Sequence, residues 1–173
     1  MSSLVLIGPR GAGKTSAGRA TAARLGWDFV DTDALIETRG RTIAEIFAAE
    51  GEPGFRRLER SIIAELWPAR DTVIATGGGV VLDPDNRRRL SALGPVVYLI
   101  ADAEQLVARI AGSDRPALTD ADPLTEMRQV LIARDPLYRG TARTVLDTGA
   151  LSLDDVVDQL VARVQTAAQK EQP

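Results

Sequence analysis

Between Gly8 and Thr15 the chain reads GPRGAGKT, with three glycines, a lysine and a hydroxyl at the spacing G-x-x-x-x-G-K-[ST]. An apolar run (SLVLI) precedes it and a segment of helical composition (KTSAGRATAARLG) follows, which is the strand-loop-helix setting that the phosphate-binding P-loop requires. In that setting, N–H groups turned inward at Gly11 and Gly13 cradle phosphate oxygens, and the helix start adds its positive end. Gly11, Ala12, Gly13, Lys14, Thr15 and Ser16 are the candidate nucleotide contacts. Lys14 would reach the β- and γ-phosphates, and the Thr15 hydroxyl would ligate Mg²⁺.

Four further signals carry chemistry. DTD offers two acceptors: Asp31 is expected near Mg²⁺ through a coordinated water, and Asp33 at substrate hydroxyls, with a helix N-cap before ALIE as the structural alternative for Asp33. In GFRRLERSIIAELW, Phe55, Leu58, Ile62 and Leu66 fall on one helical stripe that Arg56 and Glu59 flank, while Arg57 points nearly opposite. Arg56 can therefore lean into a cleft with Glu59 holding its guanidinium; a surface ion pair is the alternative. Three consecutive glycines, Gly77, Gly78 and Gly79, suggest close approach of another molecule to the backbone, or a tight turn. Arginines punctuate the later chain. Arg115 in GSDRPAL is placed in a candidate lid over about 112–124, where it could neutralise a transferring phosphoryl group. Arg134 and Arg139 in RDPLYR flank a helix end, where Pro136 is expected to break regularity.

Composition narrows the chemistry. The 173 residues suit one domain, 1–173, with 45% hydrophobic residues but only 4% aromatic, so Val, Leu, Ile and Ala must fill the core. A net charge of −3 argues against a nucleic-acid binder. No cysteine or histidine is present, which removes disulfides, thiolate or imidazole metal sites and every His-based catalytic triad. Catalysis must run on carboxylates, lysine, arginine, backbone amides and a hard cation. No apolar stretch approaches membrane-spanning length and MSSLVLIG lacks a basic leader, so the expectation is a cytoplasmic protein without a membrane partner.

These residues need elements to position them. SLVLIG, WDFVDTD, TVIAT, PVVYLIA and TVLDT read as five strands, each short and rich in β-branched or aromatic residues. Helical segments alternate with them: KTSAGRATAARLG, LIETRG with TIAEIFAAEG, GFRRLERSIIAELW, DPDNRRRLSALG, AEQLVARIA, LTEMRQVLIARDPLYRG and SLDDVVDQLVARVQTAA. Such alternation predicts an α/β, three-layer fold with a five-stranded, mostly parallel sheet between helices. The glycine loop, DTD and GGG each follow a strand. All three should therefore lie on one sheet edge, where ligands of such folds bind.

In this order the motifs resemble shikimate kinase over nearly the whole chain, carried by GPRGAGKTSAGR, FVDTDALIE, TIAEIFAAEGEPGFRRLE, ATGGGVV, DRPAL and RDPLYR. The resemblance implies transfer of the ATP γ-phosphoryl group to the 3-hydroxyl of shikimate, in aromatic amino acid biosynthesis, by a chain expected to act as a monomer. It implies that Asp33 binds shikimate hydroxyls, that Arg56 and Arg134 grip its carboxylate, and that the triplet, chiefly Gly78, adds backbone contact. The helices over about 32–66 become the acceptor-binding part, Arg115 belongs to the lid over ATP, and Arg109 matches an adenine-stacking arginine. The chain departs from the pattern in two places. IETRGRTI is one residue short, so counting from DTD would select Arg57 where the motif selects Arg56. Leu151 and Leu153 stand where a proline or basic residue often meets adenine. A kinase for gluconate or a nucleoside monophosphate, and a nucleotide sensor that has lost transfer, are the rival readings.

Overall fold

The computed structural model describes residues 3–66, 69–111 and 122–170. Five strands, β1 (Leu4–Ile7), β2 (Asp28–Asp31), β3 (Thr72–Ala75), β4 (Val96–Ile100) and β5 (Thr144–Asp147), form one sheet in the order β2-β3-β1-β4-β5. Every neighbouring pair is parallel. The expectation of a mostly parallel sheet is thus met without an antiparallel strand.

Among the described residues seven α-helices flank the strands: α1 (Lys14–Leu25), α2 (Thr32–Glu37), α3 (Ile43–Glu65), α4 (Pro84–Leu93), α5 (Ala103–Ile110), α6 (Pro123–Thr141) and, after β5, α7 (Leu153–Lys170). Strand alternation sorts the core into two layers. Leu4 and Leu6 pack with α1, α5 and α7 through Ala17, Leu106 and Leu160, whereas Val5 and Ile7 pack with α3, α4 and α6 through Ile63, Leu90 and Tyr138. A third apolar cluster of Ile36, Ile43, Ile46, Phe55 and Ile62 joins α2 to α3 apart from the sheet.

Of the two helix breaks expected from the sequence, one is present and one is not. The segments read as separate helices on either side of Gly51 are two helices joined at a kink within α3, where Gly51 takes the non-helical φ 65 and ψ −173. A positive φ suits glycine there, and Pro53 follows in what is in effect the first turn of the second segment, where a missing N–H does little harm. Pro136 does not end α6, which continues to Thr141. The proline frees only the carbonyl of Ile132, and that residue is 78% exposed, so water can take the vacated bond. Arg134 consequently stands inside a helix, not at its end.

Candidate active site

Strand register brings the chemistry together. Ala75 at the end of β3 pairs with Asp31 of β2 on one side and Leu6 of β1 on the other. The loops leaving these strands are the P-loop, the start of α2 and the glycine triplet, so all three share one edge, as their positions after strands require.

On the nucleotide side, Gly11 and Gly13 adopt φ 83 and 87, the left-handed turns that aim successive amides inward. Lys14 is buried and its Nζ donates to the carbonyls of Gly8 and Pro9, at 2.8 and 2.7 Å. The lysine is therefore folded over its own loop. A cleft of about 420 Å³ lies against Gly11, Lys14, Thr15, Ser16, Asp31 and Arg109; Ala12 beneath it is wholly buried. Arg109 donates to the carbonyl of Thr148 at 2.9 Å and to its hydroxyl at 3.2 Å, which ties α5 to the loop after β5.

Asp31 does two things. Its Oδ1 accepts from the N–H groups of Asp33 and Ala34, capping α2, and its Oδ2 accepts from the Thr15 hydroxyl at 2.7 Å. The cap assigned to Asp33 as an alternative thus belongs to Asp31. The strand stops at Asp31, and both aspartates line the cleft. Two oxygens, one a carboxylate and one a hydroxyl, suit a hard cation such as Mg²⁺. Among the described residues no cluster of three or more acidic groups could hold a metal alone.

On the acceptor side a narrower recess of about 110 Å³ is walled by Phe47, Phe55, Asp33, Arg56, Glu59 and Arg134. Arg56 is held from two sides. It donates to Glu52 at 2.9 and 3.1 Å and to both oxygens of Glu59 at 2.9 and 3.1 Å. Arg57 points away and pairs with Glu50, as the helical-face argument requires. Glu59 is almost wholly buried; burial pushes its carboxyl up to about 7 against the pull of Arg56, and Asp33 adds to the rise. Burial opposes the charge on Arg56 too, but Glu59 and Glu52 outweigh it and raise that pKa further.

The triplet serves the chain's own side chains. A Cβ at Gly77 would lie 2.6 Å from Asp33 Oδ1, and one at Gly79 would overlap the Arg56 guanidinium. The Gly77 N–H donates to Thr32 Oγ1 at 3.2 Å. The Gly78 carbonyl accepts from Arg134 Nη1 at 3.2 Å and from the Tyr138 hydroxyl. Sequence reasoning missed Tyr138, which sits inside RDPLYR without a distinguishing spacing. It is fully buried, stacked on Tyr98 with ring centroids 4.7 Å apart, and burial pushes its hydroxyl up to about 12, so it remains a donor. Tyr98 donates in turn to Asp135, which also accepts from Arg139. Arg139 thus braces α6 from outside, and only Arg134 of that pair reaches the recess.

The two cavities meet. Arg10, Asp33, Gly78 and Ile110 line both. Arg10 escaped the sequence reasoning because it occupies a variable position of the P-loop pattern. Arg115 and most of the candidate lid lie outside the described residues.

A phosphate cradle opening through a shared seam onto a small cationic recess defines a P-loop phosphotransferase for a small anionic acceptor. Comparison with known proteins narrows the class. A shikimate kinase family model matches residues 10–165. A shikimate kinase of Pseudomonas syringae pv. tomato is 47% identical over 166 residues, covering 95% of this chain and 96% of that protein. One from Symbiobacterium thermophilum is 44% identical over 171 residues, covering 96% and 98%. The solved structure of shikimate kinase from Acinetobacter baumannii in complex with shikimate superposes with a TM-score of 0.91 at 38% identity, covering 96% of this chain and 94% of that one. The chain belongs to the shikimate kinase family, whose members use ATP to phosphorylate shikimate.

Proposed function

We propose that the single domain 1–173 performs this transfer with the following division of labour. ATP lies in the cleft with its phosphates on the amides of residues 11–16, and Lys14 exchanges the Gly8 and Pro9 carbonyls for phosphate oxygens. Arg109 lies against the adenine, and Arg115 reaches the phosphates from the lid. Shikimate enters the recess, its carboxylate held by the guanidinium forks of Arg56 and Arg134, a bidentate geometry that arginine matches well. The Gly77–Gly79 backbone borders the ring. Asp33, on the seam, orients the 3-hydroxyl and is placed to take its proton.

Thr15 and Asp31 would hold Mg²⁺, which supplies charge neutralisation between the phosphates when bound. No nucleophilic side chain is needed, because phosphoryl transfer depends mainly on alignment and electrostatics. The working unit is a monomer. The cysteine-free sequence suits a reducing cytoplasm.

The observation that carries this reading is the seam: the same Asp33 and Gly78 border both the phosphate cleft and the acceptor recess. A coupled ADP-release assay tests it. Asp33→Asn and Arg134→Ala should each remove most shikimate turnover while ATP binding, followed by calorimetry, is largely kept. Normal turnover in both variants would show that the acceptor binds elsewhere. Gluconate turnover without shikimate turnover would change the substrate.

A further inference from the structure

The seam carries one cation among the described residues that line both cavities, and neither the P-loop pattern nor the acceptor motif assigns it a task. That cation is Arg10. We infer that Arg10 binds the phosphoryl group as it crosses from nucleotide to acceptor, and afterwards the phosphate of the product. The inference rests on the acceptor reading above.

Placement comes first. β1 and β3 are neighbours, so the loop after β1 lies on the triplet after β3. A Cβ at Gly78 would be 3.4 Å from the Arg10 amide nitrogen and 3.5 Å from the Gly8 carbonyl. On its other side the Gly78 carbonyl accepts from Arg134. Arg10 therefore stands between the nucleotide cradle and the acceptor arginines. The residue is partly buried and borders both cavities.

Charge comes second. During transfer the bond from the γ-phosphorus to the ADP oxygen breaks, leaving the electron pair on ADP. The bond to the acceptor oxygen forms, and the hydroxyl proton leaves toward Asp33. Negative charge is spread over the three equatorial oxygens at that point. The product then holds a phosphomonoester carrying about −1.5 to −2 at neutral pH, in a seam whose other ionisable lining residue is the aspartate. Arg56 is engaged by Glu52 and Glu59, and Arg134 is turned to the Gly78 carbonyl, both placed for the carboxylate. Lys14 borders the nucleotide cleft and not the recess, and Arg115 is assigned to the lid over ATP, so Arg10 is the described cation that faces a phosphate on the acceptor side of the seam, where a guanidinium meets phosphate through two N–H bonds.

Calorimetric titration of wild-type protein, Arg10→Ala and Arg10→Lys with shikimate, shikimate 3-phosphate and ADP distinguishes this role from a structural one. Arg10→Ala should weaken shikimate 3-phosphate on the order of 30-fold and lower kcat, while shikimate and ADP affinities stay within about threefold. Arg10→Lys should recover about tenfold of the product affinity, because the charge returns without the fork. Equal losses for shikimate and its phosphate, no loss for the phosphate, or a lysine variant no better than alanine would each overturn the inference. Wild-type turnover of shikimate in the same preparation separates such a failure from failure of the acceptor reading.

Discussion

Replacing Gly79 by alanine should disable the acceptor recess and leave the nucleotide cleft working. The backbone there is ordinary right-handed, with φ −97 and ψ −2, so a side chain brings no strain of its own. Its Cβ would instead occupy the space of the Arg56 guanidinium. That group ends a flexible side chain, so it yields, and in moving it gives up the hydrogen bonds of 2.9 to 3.1 Å that aim it. Losing one aimed, charge-assisted contact to the acceptor carboxylate costs about 3 kcal/mol, which is on the order of 100-fold in affinity. Stability should suffer less, since Glu59 can take up a proton when its partner leaves. Steady-state kinetics should show KM for shikimate up roughly 100-fold, KM for ATP within about threefold, and Tm lowered by no more than about 5 °C. Gly78→Ala is the steric control: a Cβ there meets atoms at 3.4 to 3.7 Å, ordinary contact, and leaves Arg56 in place. A Gly79→Ala enzyme with unchanged KM for shikimate, or one in which both constants rise together, would refute the reasoning.

Two other outcomes are expected. Glu59 has a folded pKa near 7 against 4.5 unfolded, so its contribution to stability is complete below about pH 4.5 and is lost as pH rises through about 7. Relative to Glu59→Gln, the wild type should therefore lose about 3 kcal/mol between pH 4.5 and 8 in urea unfolding; a flat or rising difference would mean that Arg56, not burial, governs the carboxyl. Asp31→Asn keeps a residue that caps α2 well but removes the charge beside Thr15, so Tm should hold while the Mg²⁺ concentration for half-maximal turnover rises about tenfold; an unchanged Mg²⁺ requirement would leave Asp31 only its cap.

The sequence carried the P-loop and the parallel sheet plainly, because both are local: a fixed spacing in one case and short apolar runs between helices in the other. Arg56 was legible because helical geometry separates it from Arg57 within one turn. Tyr138, Thr32 and Arg10 were not. Each acts through a partner that chain folding supplies, respectively the Gly78 carbonyl, the Gly77 amide and the meeting of two cavities. The triplet was read as making room for a ligand, and the neighbours at Gly77 and Gly79 are first of all Asp33 and Arg56. Pro136 misled for a different reason. A proline cost is set by what becomes of one freed carbonyl, and only the exposure of Ile132 decides that.

The apolar cluster linking α2 and α3 has a wider meaning. Ile36, Ile46 and Ile62 anchor those helices to each other without drawing on the sheet core, while Ile43, Phe47 and Phe55 turn to the recess. The apolar wall of the recess is therefore packed separately from the sheet core, whereas Arg134 and the glycine triplet are held by the sheet side. Exchanging residues 43, 47 and 55 is the natural place to retune this scaffold toward acids of other shapes, because a change there leaves the phosphate cradle untouched.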